Sequence, residues 1–304
     1  MSTRTALPAV FVSCLILAFC LPKALPGTLF SADAATFRDP ARIQELALAG
    51  DPDSQHQLGM MYAEGRGLPR DSGAAFYWFS KAAEQGHLES QVNLGAMYAM
   101  GVGVERNYMH AAHWYRTAAE RGHPEAQNNL AILFEEGLGF AADKAQAVQW
   151  YVRAARQDHP EAQYNLAQLY LEGDGVDRDP RAALDLLVAS AQSGYAPAQY
   201  HAGYLLERGE GVQQNLRRAA AFYMKAAEQG LPQAQLNLGL MYLTGQGVSQ
   251  EYVLAYKWFV LAVFQGLEQA AEAMNLAEQR MTPGQIAEAR RQAEQWVLKS
   301  RDVR

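Results

Sequence analysis

Gln91-Val-Asn-Leu-Gly-Ala-Met-Tyr-Ala-Met-Gly-Val-Gly-Val104, followed by Ala111-Ala-His-Trp-Tyr-Arg-Thr-Ala-Ala-Glu-Arg-Gly122, decides the architecture, because the chain repeats this stretch at a fixed step. Outward from Gly101, glycine recurs at Gly65, Gly137, Gly173, Gly209 and Gly245, each 36 residues from the next. A second series, Gly67, Gly103, Gly139, Gly175, Gly211 and Gly247, keeps the same step. So do Gln55, Gln91, Gln127, Gln163, Gln199 and Gln235, and Ala75, Ala111, Ala147, Ala183, Ala219 and Ala255. Trp78, Trp114, Trp150 and Trp258 share one column. A fixed period without insertions marks a repeat architecture, in which each unit is one supersecondary element.

Each unit reads as two helices. Ser90, Leu94, Met97 and Tyr98 lie at i, i+4, i+7 and i+8, one stripe of a 3.6-residue period. Gly101 then suits the left-handed residue that ends a helix. A second amphipathic helix runs from about Tyr108 to Glu120, with Ala111, Trp114, Tyr115, Ala118 and Ala119 on its apolar side and Gly122 after it. Pro124, Pro160 and Pro232 sit where a first helix begins, a position that tolerates proline. The small residues Gly59, Gly95, Ala131, Ala167, Gly203 and Gly239 fall mid-helix, where glycine costs about 0.5–1 kcal/mol relative to alanine. They are expected to admit a close neighbour, the tryptophan column of the facing helix. A helix pair cannot bury its apolar stripes alone, so the units must stack into an α-solenoid.

The expected organisation is a signal peptide over 1–34, an N-terminal capping helix over 35–50, six repeats over 51–267 (51–87, 88–123, 124–159, 160–195, 196–231 and 232–267) and capping helices over 268–304. Residues from about Asp39 to Ala49 read as an orphan second helix, and Glu268 to Gln279 as a degenerate first one. Thr282-Pro283-Gly284-Gln285 places a hydroxyl and a Gln three residues apart, a capping-box arrangement that opens the closing helix.

At the N-terminus, Arg4 precedes an uncharged run from Leu7 to Leu21, and Ala32-Asp33-Ala34 fits a small-residue cleavage pattern. This reads as a cleaved export signal, with an uncleaved inner-membrane anchor as the alternative. The run is shorter than the roughly 20 residues of a bilayer span. Both cysteines, Cys14 and Cys20, fall within it. The mature protein is therefore expected in a periplasm or secreted, free of thiol chemistry and of any stable membrane span. Of 304 residues, 49% are hydrophobic and the formal net charge is -6, which excludes disorder and argues against a nucleic-acid partner.

The unit Ala-Gln-x-Asn-Leu-Gly-x-Met-Tyr-x-x-Gly-x-Gly-Val, followed by Ala-x-x-Trp-Tyr-x-x-Ala-Ala-Glu-Gln-Gly, resembles the Sel-1-like repeat, a relative of the tetratricopeptide repeat. Its best matches are Gln91–Val104 with Ala111–Gly122 and Ala234–Val248 with Ala255–Gly266. The resemblance implies an all-α, right-handed solenoid of helix pairs that serves as an adaptor for other proteins, often exported and engaged in membrane signalling or in envelope and exopolysaccharide assembly. A cysteine-rich branch of the family staples its repeats with disulfides and is linked to β-lactam binding. A cell-wall or β-lactam binding or hydrolysing protein is therefore the alternative reading, which the missing cysteines disfavour. Leu186 and Leu187 depart from the pattern in the fourth unit, and Leu206 in the fifth.

No nucleophile elbow, phosphate loop or dinucleotide fingerprint occurs, and the Gly-x-Gly pairs end helices instead of opening them after a strand. No enzyme, cofactor or metal is expected. His110 and His113 are spaced i, i+3 on a helix but lack a carboxylate partner, and His87, His123 and His159 recur in the inter-unit turn. The Gln column and its Asn neighbours (Asn93, Asn129, Asn165 and Asn237) suggest either a ligand ladder or amides that satisfy turn backbone. The informative positions are those that vary. On a 100° wheel the columns of His56, Met60 and Ala63 lie opposite the repeating stripe, and they carry Asn128, Ile132, Tyr164, Gln168, Tyr200, Tyr204, Leu236 and Leu240. A variable face that is apolar and aromatic fits a groove for a protein or peptide partner in the envelope. The expected contacts are Met60, Ile132, Tyr164, Gln168, Tyr200, Tyr204, Leu236 and Leu240. The competing reading is that winding buries part of this stripe against neighbouring units.

Overall fold

The computed structural model describes residues 40–302, which form fifteen α-helices and no strand. The first helices of the repeats are α2 (Pro52–Glu64), α4 (Leu88–Met100), α6 (Pro124–Glu136), α8 (Pro160–Glu172), α10 (Ala196–Arg208) and α12 (Pro232–Thr244). The second helices are α3 (Ser72–Glu84), α5 (Tyr108–Glu120), α7 (Lys144–Ala155), α9 (Pro180–Gln192), α11 (Leu216–Glu228) and α13 (Tyr252–Phe264). One helix, α1 (Pro40–Leu48), precedes them, and α14 (Gln269–Glu278) and α15 (Pro283–Asp302) follow. The export signal read over 1–34 lies outside the described residues.

The fold is an all-α solenoid of packed helix pairs. Among the described residues the chain forms two units, residues 40–121 with 136–141, and residues 122–135 with 142–302. In the first, α1 packs on α2, α2 on α3, α3 on α4 and α4 on α5. In the second, packing runs in sequence from α7 to α13, and α13 receives both α14 and α15.

The turns explain the two glycine series. Gly173 ends α8 at φ 75°, returning its N–H to the Leu169 carbonyl. Two residues on, a Cβ at Gly175 would come within 2.6 Å of the Lys144 backbone, so only glycine allows the loop to lie on the start of α7. The loop then closes through the Asp179 N–H, which donates to the Tyr170 carbonyl at 2.9 Å, while the Asp179 carboxylate caps α9 by accepting from the Arg181 and Ala182 N–H groups. The histidine column caps the first helices. Nδ1 of His87, His123 and His159 accepts from the backbone N–H of Ser90, Ala126 and Ala162. The capping box at α15 forms, with Thr282 N–H donating to Gln285 Oε1 at 2.8 Å and Gln285 N–H to Thr282 Oγ1 at 3.3 Å.

The mid-helix glycines face a different column from the one expected. A Cβ at Gly59 would lie 2.7 Å from the Phe79 ring, at Gly95 2.7 Å from Tyr115, at Gly203 2.8 Å from Tyr223, and at Gly239 it would strike Phe259. The neighbour is therefore the residue after each tryptophan position. Successive residues project about 100° apart around a helix, so only one of an adjacent aromatic pair can point at the glycine. The tryptophans do other work: Arg153 stacks over Trp150 at 4.3 Å, and Trp258 meets Trp296 of α15 edge-on.

Candidate interaction surface and the seams beneath it

The variable stripe of the first helices is mostly a seam. Met60, Ile132 and Tyr200 are 3–4% exposed, Gln168 is 6% and Tyr164 9%. Five of the eight residues expected to meet a partner are thus buried by their own fold, and that part of the groove expectation is replaced by inter-repeat packing. The physical reason lies in the neighbouring Asn column. Its side chains reach back to the preceding first helix: Asn93 Nδ2 approaches Met60 Sδ at 3.7 Å, and Asn165 Nδ2 donates to Asn128 Oδ1 at 3.1 Å. Asn93 and Asn165 thus link helix to helix, side chain to side chain, whereas Asn129 accepts from its neighbour Asn128.

In the fifth repeat that column holds His201, which the sequence reading passed over. It is 4% exposed and sits between Tyr164 and Gln168 of α8, with Tyr164 Oη 3.3 Å from Nε2 and Gln168 Nε2 3.2 Å from Nδ1. The rings of Tyr164 and Tyr200 meet it edge-on at 5.3 and 5.2 Å. Burial lowers the His201 pKa to about 4 and raises those of both tyrosines. Three of the residues read as partner contacts therefore surround one internal histidine.

In repeats three and five, though not in repeat two, where Ala99 accompanies Tyr115, the third column of the stripe supplies an acceptor to the tyrosine opposite it. Glu135 accepts from Tyr151 Oη at 2.8 Å, and Glu207 from Tyr223 Oη at 2.6 Å. Where the ring is Phe79 or Phe259, the matching residue is Ala63 or Leu243. Burial raises the Glu207 carboxyl above its ordinary range, against the hydrogen bond from Tyr223, which lowers it.

Tyr204, Leu236 and Leu240 keep part of their surface open. Tyr204 stacks on Tyr200 at 6.5 Å and packs at the edge of the α10–α13 core, while Leu236 and Leu240 pack at the edge of the core shared with α14. These three lie on neighbouring first helices of the second unit; elsewhere in the stripe His56, Leu171 and Glu207 are also partly open. Glu207 and the exposed Arg208–Glu210 ion pair lie beside them in sequence.

The Sel1 repeat profile matches six consecutive segments, residues 52–87, 88–123, 124–159, 160–195, 196–231 and 232–266. The chain belongs to the Sel1 repeat family. Its fold is similar to that of c5321, a protective antigen present in uropathogenic Escherichia coli strains that displays an SLR fold, at 30% identity and a TM-score of 0.54. That match covers 86% of this chain, which spans 64% of the antigen's length. A Sel1 repeat protein from Oxalobacter formigenes is 29% identical with a TM-score of 0.64, over 75% of this chain and 97% of that one. No functionally curated protein shows significant sequence similarity to the chain. Sel1 repeat proteins are generally protein-interaction scaffolds.

Within these Sel1 repeats the glutamine column is structural. The amides of Gln55, Gln91, Gln163, Gln199 and Gln235 donate to the carbonyls of Ala47, Ala83, Ala155, Ala191 and Ala227, each near the end of the preceding helix. Gln85, Gln157, Gln229 and Gln265 then donate to the carbonyl oxygens of Gln55, Gln127, Gln199 and Gln235 at 2.8 Å. Where Arg121 and Ser193 replace that donor, Gln91 Oε1 and Gln163 Oε1 are buried without a hydrogen bond. His110 and His113 are exposed beside Tyr98 and Trp114. Among the described residues no group of three His, Cys, Asp or Glu could hold a metal ion, and no helix is long and apolar enough to cross a membrane.

Proposed function

We propose that this Sel1 repeat protein is a non-enzymatic adaptor of a bacterial envelope that holds a protein or peptide partner against Tyr204, Leu236 and Leu240. The carrying observation is that these three apolar side chains, on the neighbouring helices α10 and α12, remain partly open while most of the variable stripe is buried in seams. Apolar and aromatic surface left at the edge of a packed core is what interface anchors use. The N-terminal pattern of Arg4, the uncharged run and Ala32-Asp33-Ala34 supports export to the periplasm, where regulating a membrane sensor or assembling envelope polymers would employ such an adaptor. A photo-crosslinking residue placed at 204 or 240 in living cells is expected to give a discrete adduct, and one placed at the exposed Gln229 none. The same adducts from 229, or none from 204 and 240, would overturn the assignment. Fractionation of the same cells is expected to recover the protein in the periplasm.

A further inference from the structure

The column of His201 holds an amide in all five other repeats, Gln57, Asn93, Asn129, Asn165 and Asn237. An amide makes the reach to the preceding helix without titrating, as Asn165 does to Asn128. His201 makes the same reach with a ring that can take up a second proton and become charged. We propose that His201 is an acid-released latch: neutral, it closes the α8–α10 seam through Tyr164 and Gln168, and its protonation loosens that seam and uncovers Tyr164, Gln168 and Tyr200.

The hydrogen bonds fix the chemistry. Gln168 Nε2 can only donate, so His201 Nδ1 accepts, the ring proton sits on Nε2, and Nε2–H donates to Tyr164 Oη. A second proton can enter only at Nδ1, where it meets the amide N–H. Rotating the Gln168 amide would offer Oε1 to that proton. Its NH2 group would then occupy the place where Oε1 is already buried without a partner, and the charge would still be enclosed.

The titratable groups around His201 come from several helices. Tyr164 comes from α8, Tyr195 lies at the α10 N-cap, Tyr200 is on α10 and Tyr223 is on α11, and burial raises all four pKa values. On α8, Glu161 and Glu172 act on Tyr195 and Tyr164, and on α10 Glu207 is engaged by Tyr223 while Arg208 is exposed. The charged residues of α9 and α11 (Arg181, Asp185, Arg217, Arg218, Lys225 and Glu228) are exposed, and α12 carries none. The folded protein therefore resists protonation of His201 down to about pH 4, whereas the unfolded chain takes up the proton near 6.5. The stability contributed by the neutral ring is complete above about pH 6.5 and is lost as the pH falls toward 4.

The test is His201→Asn, the residue that four of the other repeats use. Between pH 7.5 and 5.0 the variant is expected to lose about 5 °C less in Tm than the wild type, since other acid-sensitive groups, such as His56 in the first unit, are common to both. Amide exchange in α8 and α10, corrected for its intrinsic pH dependence, is expected to accelerate at pH 5.0 in the wild type alone. Should the variant not fold, the NMR titration of the His201 ring in the wild type decides, with a midpoint well below 6.5 expected. Equal Tm losses in the two proteins, exchange that accelerates equally in both, or a ring titrating near 6.5 would overturn the latch.

Discussion

Repeats four (160–195) and five (196–231) are built on one template and solve the same packing problem differently. In repeat four, Ala167 and Leu187 share an apolar cluster edged by Leu171. In repeat five, Gly203 clears the Tyr223 ring, and the Tyr223 hydroxyl then needs Glu207. In repeat five the ring, the glycine and the carboxylate go together, whereas repeat two keeps Gly95 and Tyr115 with Ala99 and repeat three keeps Tyr151 and Glu135 with Ala131, so the three columns vary separately. The glutamine staple differs as well: Gln199 receives Gln229, whereas Gln163 faces Ser193 and keeps a buried oxygen without a partner. Identity of repeat does not mean identity of environment, and the polar repeat is the one that a single substitution breaks more easily.

The largest effect is expected at Tyr200, whose counterpart in the stripe is Tyr164. Tyr200→Ala removes a nearly fully buried ring and should cost about 3–4 kcal/mol in urea unfolding. Tyr204→Ala, one turn away and partly open, should stay within about 1 kcal/mol, and equal losses would mean that both belong to the seam. Next, Tyr223→Phe leaves the half-buried Glu207 carboxylate without its donor and should cost about 1–2 kcal/mol. Adding Glu207→Leu reproduces the Leu243/Phe259 pair of the sixth repeat and should restore stability to within about 1 kcal/mol, a recovery that a double-mutant cycle measures. Gly203→Ala gains helix propensity but puts a Cβ 2.8 Å from the Tyr223 ring, for a net loss of about 1 kcal/mol. Adding Glu207→Leu and Tyr223→Leu converts the site to the pattern of repeat four, and the melting temperature should return. The smallest change runs the other way. Ser193→Gln supplies the donor that Gln163 lacks and should stabilise by about 0.5–1 kcal/mol in calorimetry.

The period, the helix pair, the left-handed glycine ends and the capping box at Thr282 were all legible in the chain, because each depends on residues close in sequence. The partner of the glycine column was not, since Trp78 and Phe79 are both large aromatics and only the orientation of α3 decides which faces Gly59. Most of the candidate surface was misplaced for a related reason. A wheel drawn on α8 shows Tyr164 and Gln168 on a variable face, yet carries no information that His201 of the next repeat closes over them.

By itself the sequence determined a 36-residue unit, its two helices and their ends, and through composition a folded, mildly acidic chain. Only the tertiary structure decided which variable residues are seam and which are surface, separating buried Tyr200 from partly open Tyr204 on a single turn of α10. The reason is physical: periodicity fixes the face of a helix on which a side chain lies, but burial is set by the helix stacked against that face, and that helix comes from another repeat.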